Sequence, residues 1–423
     1  MKTNGARVIE RLEELYRCGE GENGTHSRLA FSKEDRKGRE AFARYFRALG
    51  IESSLDPAGN MIARLEGHAP KGQDPLPAIL IGSHLDTVPN GGKYDGALGC
   101  VAGLEVVATL LASGTKLRHP LEVVVFADEE GARFGSGMIG SSAFSGAALT
   151  NFSLTAADKG GILLRDALRA WGLNVGDGDG GDGIQELRKA ARKKETVRCC
   201  LELHIEQGGG LFKAGIPIGV VTTIAGVKRY EIVVRGQMNH AGSTLMEDRK
   251  DALTAAARFI ASIPDVARAW GGEYSVATVG AITVHPHAVN VIPGICTFSL
   301  EIRDRELAVM ERIEGELRRA LANAAQGFGC DFTPISSNAP VSMNTGVQDA
   351  IVKACEDEGC AYKLMPSGAF HDSLMLAETF PCGMIFIPSV NGVSHSPEEF
   401  SREEDIQRGC DVLLRSVLRL DAA

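Results

Sequence analysis

The spacing of hydrophobic and polar residues divides roughly the first half of the chain into alternating helices and strands. Amphipathic periods predict helices over residues 6–16 and 35–49, and the segment 98–113 also reads as a helix. Apolar runs predict strands over 78–84 and 121–130. Alternation of this kind is typical of an α/β layer built on a largely parallel sheet. Ligand sites in such sheets collect beyond the carboxyl ends of the strands.

A different pattern occupies residues 224–336. It predicts, in order, a strand over 229–236, a helix over 248–263 that stops before Pro264, strands over 276–284 and 296–304, a helix over 305–324 and a strand over 330–335. This order is that of a ferredoxin-like, split βαβ unit. It therefore predicts a smaller α+β domain inserted into the larger one.

The α/β pattern returns after this insertion. It predicts a helix near 346–358, a strand over 383–389 and a closing helix around 402–418. A chain of 423 residues is too long for one ordinary core. We therefore predict one domain formed by residues 1–223 with 337–423, and a second formed by 224–336.

Composition and charge narrow the class of protein. The chain has 54 acidic against 45 basic residues, a formal net charge of −9. Nucleic acids and anionic membranes attract basic surfaces, so we expect neither as a partner. No apolar run reaches the ~20 residues of a membrane helix, and the charged N-terminus lacks the core of a secretory signal. We therefore expect a cytoplasmic protein whose ten cysteines are reduced and mostly buried.

Two segments have some features of metal sites but are poor candidates. Cys355 and Cys360 could form a metal-binding pair, but nothing nearby in sequence supplies two further ligands. Residues 174–184 alternate Asp and Gly, as calcium loops do, but they lack the closing bidentate Glu. We therefore interpret this segment as a flexible surface loop.

Polar clusters follow several of the predicted strands. Their central residues are His84 with Asp86, Asp95, Glu129 with Glu130, His204 with Gln207, and His395. Taken singly, each cluster has a structural explanation, such as a surface histidine, an N-cap aspartate or a solvated turn. Taken together, three imidazoles and several carboxylates predict a site for two divalent metal ions, as in metal-dependent hydrolases.

Local spacing suggests how some of these side chains are arranged. His84 and Asp86 are two positions apart and share one face of an extended segment. We therefore expect the Asp86 carboxylate to accept a hydrogen bond from the ring nitrogen of His84 that does not bind metal. Glu129 and Glu130 are adjacent, so one can bind a metal ion while the other handles protons. The segment after His395 resembles the start of a helix with acids in its first turn.

Six motifs occur along the chain in this order: GSHLDTVPNGGKYDGALG, FADEEGARF, LELHIEQGG, MNHAGST, NVIPG and SHSPEEF. In combination they resemble the amidase/hydantoinase/carbamoylase branch of the dinuclear aminoacylase and carboxypeptidase clan. This branch includes N-carbamoyl-L-amino-acid hydrolases, allantoate amidohydrolases and β-ureidopropionases. The resemblance spans residues 7–418 and implies a zinc-peptidase-like catalytic domain, with the inserted domain acting as lid and homodimer contact.

The resemblance also implies the metal ligands. One ion would be held by His84, Asp95 and His204, and the other by Asp95, Glu130 and His395, with Asp95 bridging both. Mixed imidazole and carboxylate ligands suit Zn, Mn, Co and Ni, so the native metal stays open.

Catalytic roles are implied in the same way. Glu129 would be the general base and acid, and Asp86 would orient His84. His240 would be a lid histidine that reaches the partner subunit's active site and stabilises the developing oxyanion. Peptidase relatives usually have a carboxylate where His204 stands, so His204 points away from a peptidase.

The implied substrate is a small molecule with a carbamoyl or ureido group and a carboxylate. Its contacts would be Gln207, His240, Asn290, Arg303 and His371, of which Asn290 and Arg303 grip the carboxylate. Phe370 and Leu245 depart from the family's usual sequence. They leave open whether the substrate is an N-carbamoyl-L-amino acid, allantoate or 3-ureidopropionate.

Two alternative functions compete with hydrolysis of a ureido group. One is an N-acyl-amino-acid deacylase or peptidase on the same scaffold, which His204 disfavours. The other is a catalytically silent binding protein, which the complete ligand set and Glu129 disfavour.

Overall fold

We describe the fold from a computed structural model, which covers residues 1–21, 24–69, 76–147, 149, 152–176 and 181–423. Part of the predicted Gly/Asp-rich loop, residues 177–180, lies outside this range. The described chain divides into two compact units. The first contains Met1–Thr222, Ser342–Met365 and Phe370–Ala423, and the second contains Thr223–Val341 with Pro366–Ala369.

The helices of the described residues are α1 Gly5–Arg17, α2 Lys33–Ala48, α3 Ala97–Ser113, α4 Ile139–Ser145, α5 Leu164–Trp171, α6 Gly181–Arg188, α7 Gly210–Ala214, α8 Ala252–Trp270, α9 Leu307–Ala324, α10 Thr345–Glu358, α11 Asp372–Leu376 and α12 Glu403–Ala422. None of them is both long and apolar enough to cross a membrane.

The strands of the described residues are β1 Ser53–Leu55, β2 Met61–Leu65, β3 Ala78–His84, β4 Leu121–Phe126, β5 Val197–Ile205, β6 Ile218–Ile224, β7 Gly226–Arg235, β8 Asn239–His240, β9 Val276–Thr278, β10 Ile282–His285, β11 Val291–Ile292, β12 Ile295–Asp304, β13 Gly329–Asn338, β14 Val341–Ser342, β15 Tyr362–Ser367 and β16 Cys382–Ile387.

The larger sheet confirms the predicted α/β class. Its strand order is β1-β2-β4-β3-β5-β16-β6-β14, with β15 beside β6. The four central strands, β4, β3, β5 and β16, run parallel to one another. Every residue of β3, β4 and β16 is buried, because helices such as α3 and α12 pack against the sheet. Strands covered on both faces read as continuous apolar runs, which is why the sequence predicted them.

The second unit has its own antiparallel sheet, in the order β10-β12-β7-β13, with β9 also beside β12. Inward residues of β7 and β12, such as Ile232 and Phe298, form a separate core with Phe259 of α8 and Leu317 of α9. With β7 and β12 adjacent in the middle, this arrangement agrees with the predicted split βαβ order.

Several details of the predicted elements were wrong. The strand expected over 276–284 is divided into β9 and β10. The segment after His395 does not begin a helix, because α12 starts only at Glu403. The expected loop over 174–184 overlaps α6, which begins at Gly181.

The helix predicted to stop before Pro264 continues to Trp270. On either side of the proline, Ile263 and Ala267 extend the buried stripe begun by Phe259. Burial of this stripe offsets the cost of the backbone hydrogen bond that the proline removes.

The cysteines are mostly buried, as the sequence predicted. Among the described residues all ten are free, and most are buried, whereas Cys330 is exposed.

Candidate metal centre and active site

The candidate site lies at the carboxyl edge of the parallel strands. His84 is the last residue of β3 and pairs with Phe126, the last residue of β4. His204 lies one residue before the end of the neighbouring β5. The loops after these strands therefore start close together, as the sequence predicted for this sheet edge.

Asp95 is the central carboxylate of this cluster. Its Oδ1 atom lies 3.2 Å from Nε2 of His204 and 3.8 Å from Nε2 of His84. Its Oδ2 atom lies 3.1 Å from Nε2 of His395. One carboxylate oxygen thus faces two imidazoles while the other faces a third, which is the arrangement of a ligand that bridges two ions.

Glu129 and Glu130 face different imidazoles. Oε2 of Glu129 lies 3.6 Å from Nε2 of His84, and Oε1 of Glu130 lies 3.7 Å from Nε2 of His395. The backbone N–H groups of both glutamates donate to the Asp86 carboxylate, at 3.3 and 3.2 Å. Asp86 therefore shapes the turn that carries both glutamates.

The contact between Asp86 and His84 differs from the one predicted. Nδ1 of His84 lies 2.9 Å from the backbone oxygen of Asp86 and 3.8 Å from its carboxylate. The residue pair was predicted, but the carbonyl accepts the bond because the carboxylate is engaged by the glutamate turn. Nδ1 of His204 likewise lies 2.9 Å from the backbone oxygen of Ile205. Both contacts leave the Nε2 atoms facing Asp95, which is how histidine ligands are commonly oriented.

The structure groups the predicted ligands into two triplets that share Asp95. Ligand atoms of His84, Asp95 and His204 lie within 4.8 Å of one another, as do those of Asp95, Glu130 and His395. Imidazole nitrogens and carboxylate oxygens are suitable donors for Zn, Mn, Co or Ni. The side chains therefore fit a pair of divalent ions.

Two other groups of potential ligands overlap these triplets. One combines His84 with Glu129 and Glu130, and the other combines Glu202, His204 and His371. The Glu202 carboxylate accepts hydrogen bonds from the Ser83 hydroxyl and from the backbone and hydroxyl of Ser373. Because Glu202 is satisfied in this way, we interpret it as a structural anchor.

Crowded carboxylates make the site unfavourable without positive charge. Burial, followed by the charge of Glu130, raises the pKa of Glu129 well above its ordinary value. Burial, followed by Asp95, does the same to the pKa of Glu130. Burial would also raise the pKa of Asp95, but hydrogen bonds with His204 and His395 hold it well below the usual value. Cations at this position would relieve the repulsion.

The imidazoles respond in the opposite direction. Burial alone would lower the pKa of His204, but its hydrogen bond with Asp95 raises it to about 9. The hydrogen bond with Asp95 likewise raises the pKa of His395 to about 9, against a smaller effect of burial. Protons and metal ions therefore compete for the same nitrogen atoms.

Gln207 and His371 also lie beside the ligands. The Gln207 side-chain amide donates to Oδ2 of Asp95 at 2.9 Å, and its backbone N–H donates to the Ser389 hydroxyl at 3.0 Å. The buried His371 ring lies 4.4 Å from that of His204, centroid to centroid. Burial, followed by the proximity of His204, lowers the pKa of His371 well below its usual value, so its ring is neutral.

His240 and Asn290 belong to the second unit, where β8 and β11 pair. His240 stands opposite Val291, the neighbour of Asn290. Nδ1 of the exposed His240 accepts the N–H groups of Gly242 and Ser243, at 3.0 and 3.1 Å. Because Nδ1 accepts these hydrogen bonds, Nε2 carries the ring hydrogen and is a donor.

Arg303 also lies in the second unit, on β12. Its guanidinium contacts the Glu301 carboxylate at 2.6 Å and donates to the backbone oxygen of Gly368 at 2.8 Å. Of the two sequence departures, Leu245 is exposed and Phe370 is partly buried.

Gly96 is required where the Asp95 loop enters α3. Its φ is +64°, in the left-handed region. A Cβ atom at this position would lie 2.4 Å from ring atoms of His84. Any other residue would therefore displace that imidazole.

Sequence reasoning missed the role of Glu399. Its carboxylate is buried and points inward, where Oε1 accepts the backbone N–H groups of Tyr94 and Asp95, at 2.8 and 3.1 Å. The neighbouring Glu398 is exposed. The pair of acids after His395 was visible in the sequence, but the sequence does not show which one turns inward.

The fold and this arrangement of ligands define a co-catalytic metallohydrolase scaffold, and comparisons with known proteins agree. The sequence profile of peptidase family M20/M25/M40 matches residues 80–419. The N-carbamoyl-L-amino acid amidohydrolase of Geobacillus stearothermophilus is 41% identical over 418 residues, which cover 98% of each chain. The allantoate amidohydrolase of Escherichia coli is 33% identical over 98% of this chain and 97% of its own.

Comparison with solved structures indicates the same family. An amidase of the hydantoinase/carbamoylase family from Burkholderia multivorans superposes with a TM-score of 0.88 at 33% identity, covering 100% of this chain and 99% of that one. The chain therefore belongs to peptidase family M20/M25/M40, among its hydantoinase/carbamoylase amidases.

Proposed function

We propose that this hydrolase cleaves the C–N bond of a carbamoyl or ureido group in a small substrate that also has a carboxylate. The observation that carries the proposal is the position of Asp95, which faces three imidazoles while Glu129 stands beside one of them. The relatives named as N-carbamoyl-L-amino acid and allantoate amidohydrolases support the choice of bond.

The proposed metal centre uses the two ligand triplets. His84, Asp95 and His204 would hold one ion, and Asp95, Glu130 and His395 the other. When bound, the ions would lower the pKa of a water molecule and polarise the scissile carbonyl.

Glu129 is the proposed general base and acid. Its Oε2 atom lies 3.6 Å from the ring of His84, and burial raises its pKa, which makes the ionised carboxylate a stronger proton acceptor. A carboxyl group of this kind can take a proton from the attacking water and return it to the leaving nitrogen. Asp86 supports this role because it binds the backbone N–H group of Glu129.

The remaining predicted residues would bind the substrate. His240 would donate its Nε2–H to the developing oxyanion, where a preorganised donor stabilises the transition state. Arg303 and Asn290 would bind the carboxylate, and Gln207 and the neutral His371 would contact the substrate beside the metals. From an N-carbamoyl-L-amino acid, the products would be the amino acid, carbon dioxide and ammonia.

A panel of substrates tests this function. The protein is stripped of metal, reconstituted separately with Zn, Mn, Co and Ni, and assayed for ammonia release. We expect turnover of N-carbamoyl-L-amino acids, allantoate or 3-ureidopropionate, and little turnover of N-acetyl-L-amino acids or dipeptides. Preferred hydrolysis of the N-acetyl compounds would instead support the deacylase alternative.

We also propose that the second unit acts as a lid and that the protein is a homodimer in which His240 serves the partner's site. Subunit exchange tests this proposal. Mixing His240→Ala protein with Glu129→Gln protein should restore part of the activity, because a hybrid dimer then contains one complete site. Activity that stays at the level of each variant alone would contradict sharing.

A further inference from the structure

We infer that Glu399 is a positioning residue of the metal centre: its buried carboxylate joins the loop that carries Asp95 to the segment that carries His395. The inference rests on the proposed metal site, and it concerns the ion held by Asp95, Glu130 and His395. Glu399 itself is not a ligand of either triplet.

The contacts of Glu399 reach both segments. Oε1 accepts the backbone N–H groups of Tyr94 at 2.8 Å and of Asp95 at 3.1 Å. Oε2 accepts the hydroxyl of Ser394 at 2.8 Å, directly before His395. A single side chain therefore fixes the backbone of the central carboxylate and the residue next to a histidine ligand.

The surrounding chain is built around this carboxylate. A Cβ atom on Gly92 would lie 2.1 Å from Oε1, so only glycine leaves room for the side chain. The backbone N–H of Glu399 donates to the oxygen of Ser396 at 3.0 Å, which closes the turn after His395. His395 itself has a φ of +54°, a conformation that needs support from its neighbours.

A structural role alone does not explain an acid at this position. Hydrogen bonds to two buried N–H groups can be made by a neutral side chain, whereas a second carboxylate beside Asp95 adds repulsion. Cations bound by Asp95 would attract the Glu399 carboxylate and so offset this repulsion. Groups that orient metal ligands from behind typically change metal affinity by 10–100-fold when they are removed.

The chain offers a matched control in Asp421. Its buried carboxylate also accepts two backbone N–H groups, those of Arg118 at 3.0 Å and His119 at 2.7 Å. Neither of these residues belongs to a ligand triplet. Removal of the Asp421 carboxylate should therefore change the stability of the protein without changing its metal affinity.

The test measures binding of Zn²⁺ and Mn²⁺ by equilibrium dialysis and elemental analysis, with melting temperature recorded alongside. In Glu399→Ala we expect the ion held by Asp95, Glu130 and His395 to bind about 10–100-fold more weakly. The other ion should be weakened less, because Asp95 is the only member of its triplet that Glu399 contacts. Glu399→Gln, which keeps an acceptor oxygen, should recover part of that affinity. Asp421→Ala should lower the melting temperature and leave both affinities unchanged.

Several outcomes would overturn the inference. Glu399→Ala protein that binds both ions with wild-type affinity excludes the positioning role, and so does equal weakening in Asp421→Ala. If Glu399→Ala does not fold, Glu399→Asp replaces it, because its shorter side chain cannot span both segments and should weaken the same ion. If the wild-type protein binds no divalent ion, the proposed metal centre itself is rejected. This outcome is therefore distinguishable from a failure of the role of Glu399.

Discussion

At the scale of single residues, Glu129 allows metal binding and catalysis to be separated. Glu129→Gln keeps the size of the side chain but removes its ability to accept a proton. Because Glu129 lies outside both proposed triplets, we expect both ions to be retained while kcat falls by about 10²–10⁴-fold. Steady-state kinetics with elemental analysis measures both quantities. Glu130→Gln is the control and should lose metal and activity together; a wild-type rate in Glu129→Gln would exclude its role.

The pKa values of the histidine ligands predict how metal affinity depends on pH. With pKa values of about 9, His204 and His395 carry protons at neutral pH that a metal ion must displace. Affinity should therefore rise from pH 6 to pH 9, by up to about tenfold per unit for each proton displaced. Chelator competition across this range measures the affinity, and calorimetry in buffers of different ionisation enthalpy counts the released protons. A dissociation constant that does not change with pH would contradict the prediction.

The sequence predicted which residues form the site better than it predicted which atoms touch. His84, Asp95 and His204 could be found because they lie at or after the ends of strands that share one sheet edge. The acceptor for His84 was assigned to the wrong atom of Asp86, because the carboxylate is engaged by a turn formed far along the chain. Glu399 was missed because it binds a backbone N–H group 304 positions away.

At the scale of elements, burial overrides the local preference of Pro264. A proline inside a helix destabilises the folded protein by ~3 kcal/mol relative to alanine. It also restricts the unfolded chain, which returns ~0.4–1 kcal/mol of stability. Because Pro264 lies on the exposed face of α8, we expect Pro264→Ala to raise the free energy of unfolding of the second unit by about 2 kcal/mol.

Denaturant unfolding checks this prediction. The exposed neighbour Asp265 supplies the control, since Asp265→Ala should change the free energy of unfolding by less than about 0.5 kcal/mol. A loss of stability in Pro264→Ala would mean that the ring makes contacts that compensate for the missing hydrogen bond.

Elements with a clear hydrophobic pattern were predicted well, and those without one were not. β3 occupies the predicted residues 78–84, because a fully buried strand is a continuous apolar run. The short strands β1 and β2 were not predicted, since each is only partly buried and their apolar residues show no clear period. The strand predicted over 276–284 is divided because β9 and β10 pair with different parts of β12. The sequence of the segment itself does not show this pairing.

At the scale of the whole molecule, the two units have separate hydrophobic cores. Ile81, Val123 and Leu203 belong to a core of the first unit, whereas Phe259 and Leu317 belong to that of the second. All five proposed metal ligands lie in the first unit. A ligand stabilises only the structure that contains its binding site, so metal binding should act on one core and leave the other unchanged.

Calorimetry should therefore resolve two unfolding transitions, of which a divalent ion moves only one. At a free concentration 100 times Kd, the ion should stabilise the first unit by about 2.7 kcal/mol, and a chelator should remove this gain. Phe259→Ala should lower the other transition by about 3–5 kcal/mol without changing the response to metal. A single transition that shifts with both the metal and the substitution would show instead that the two cores unfold as one cooperative structure.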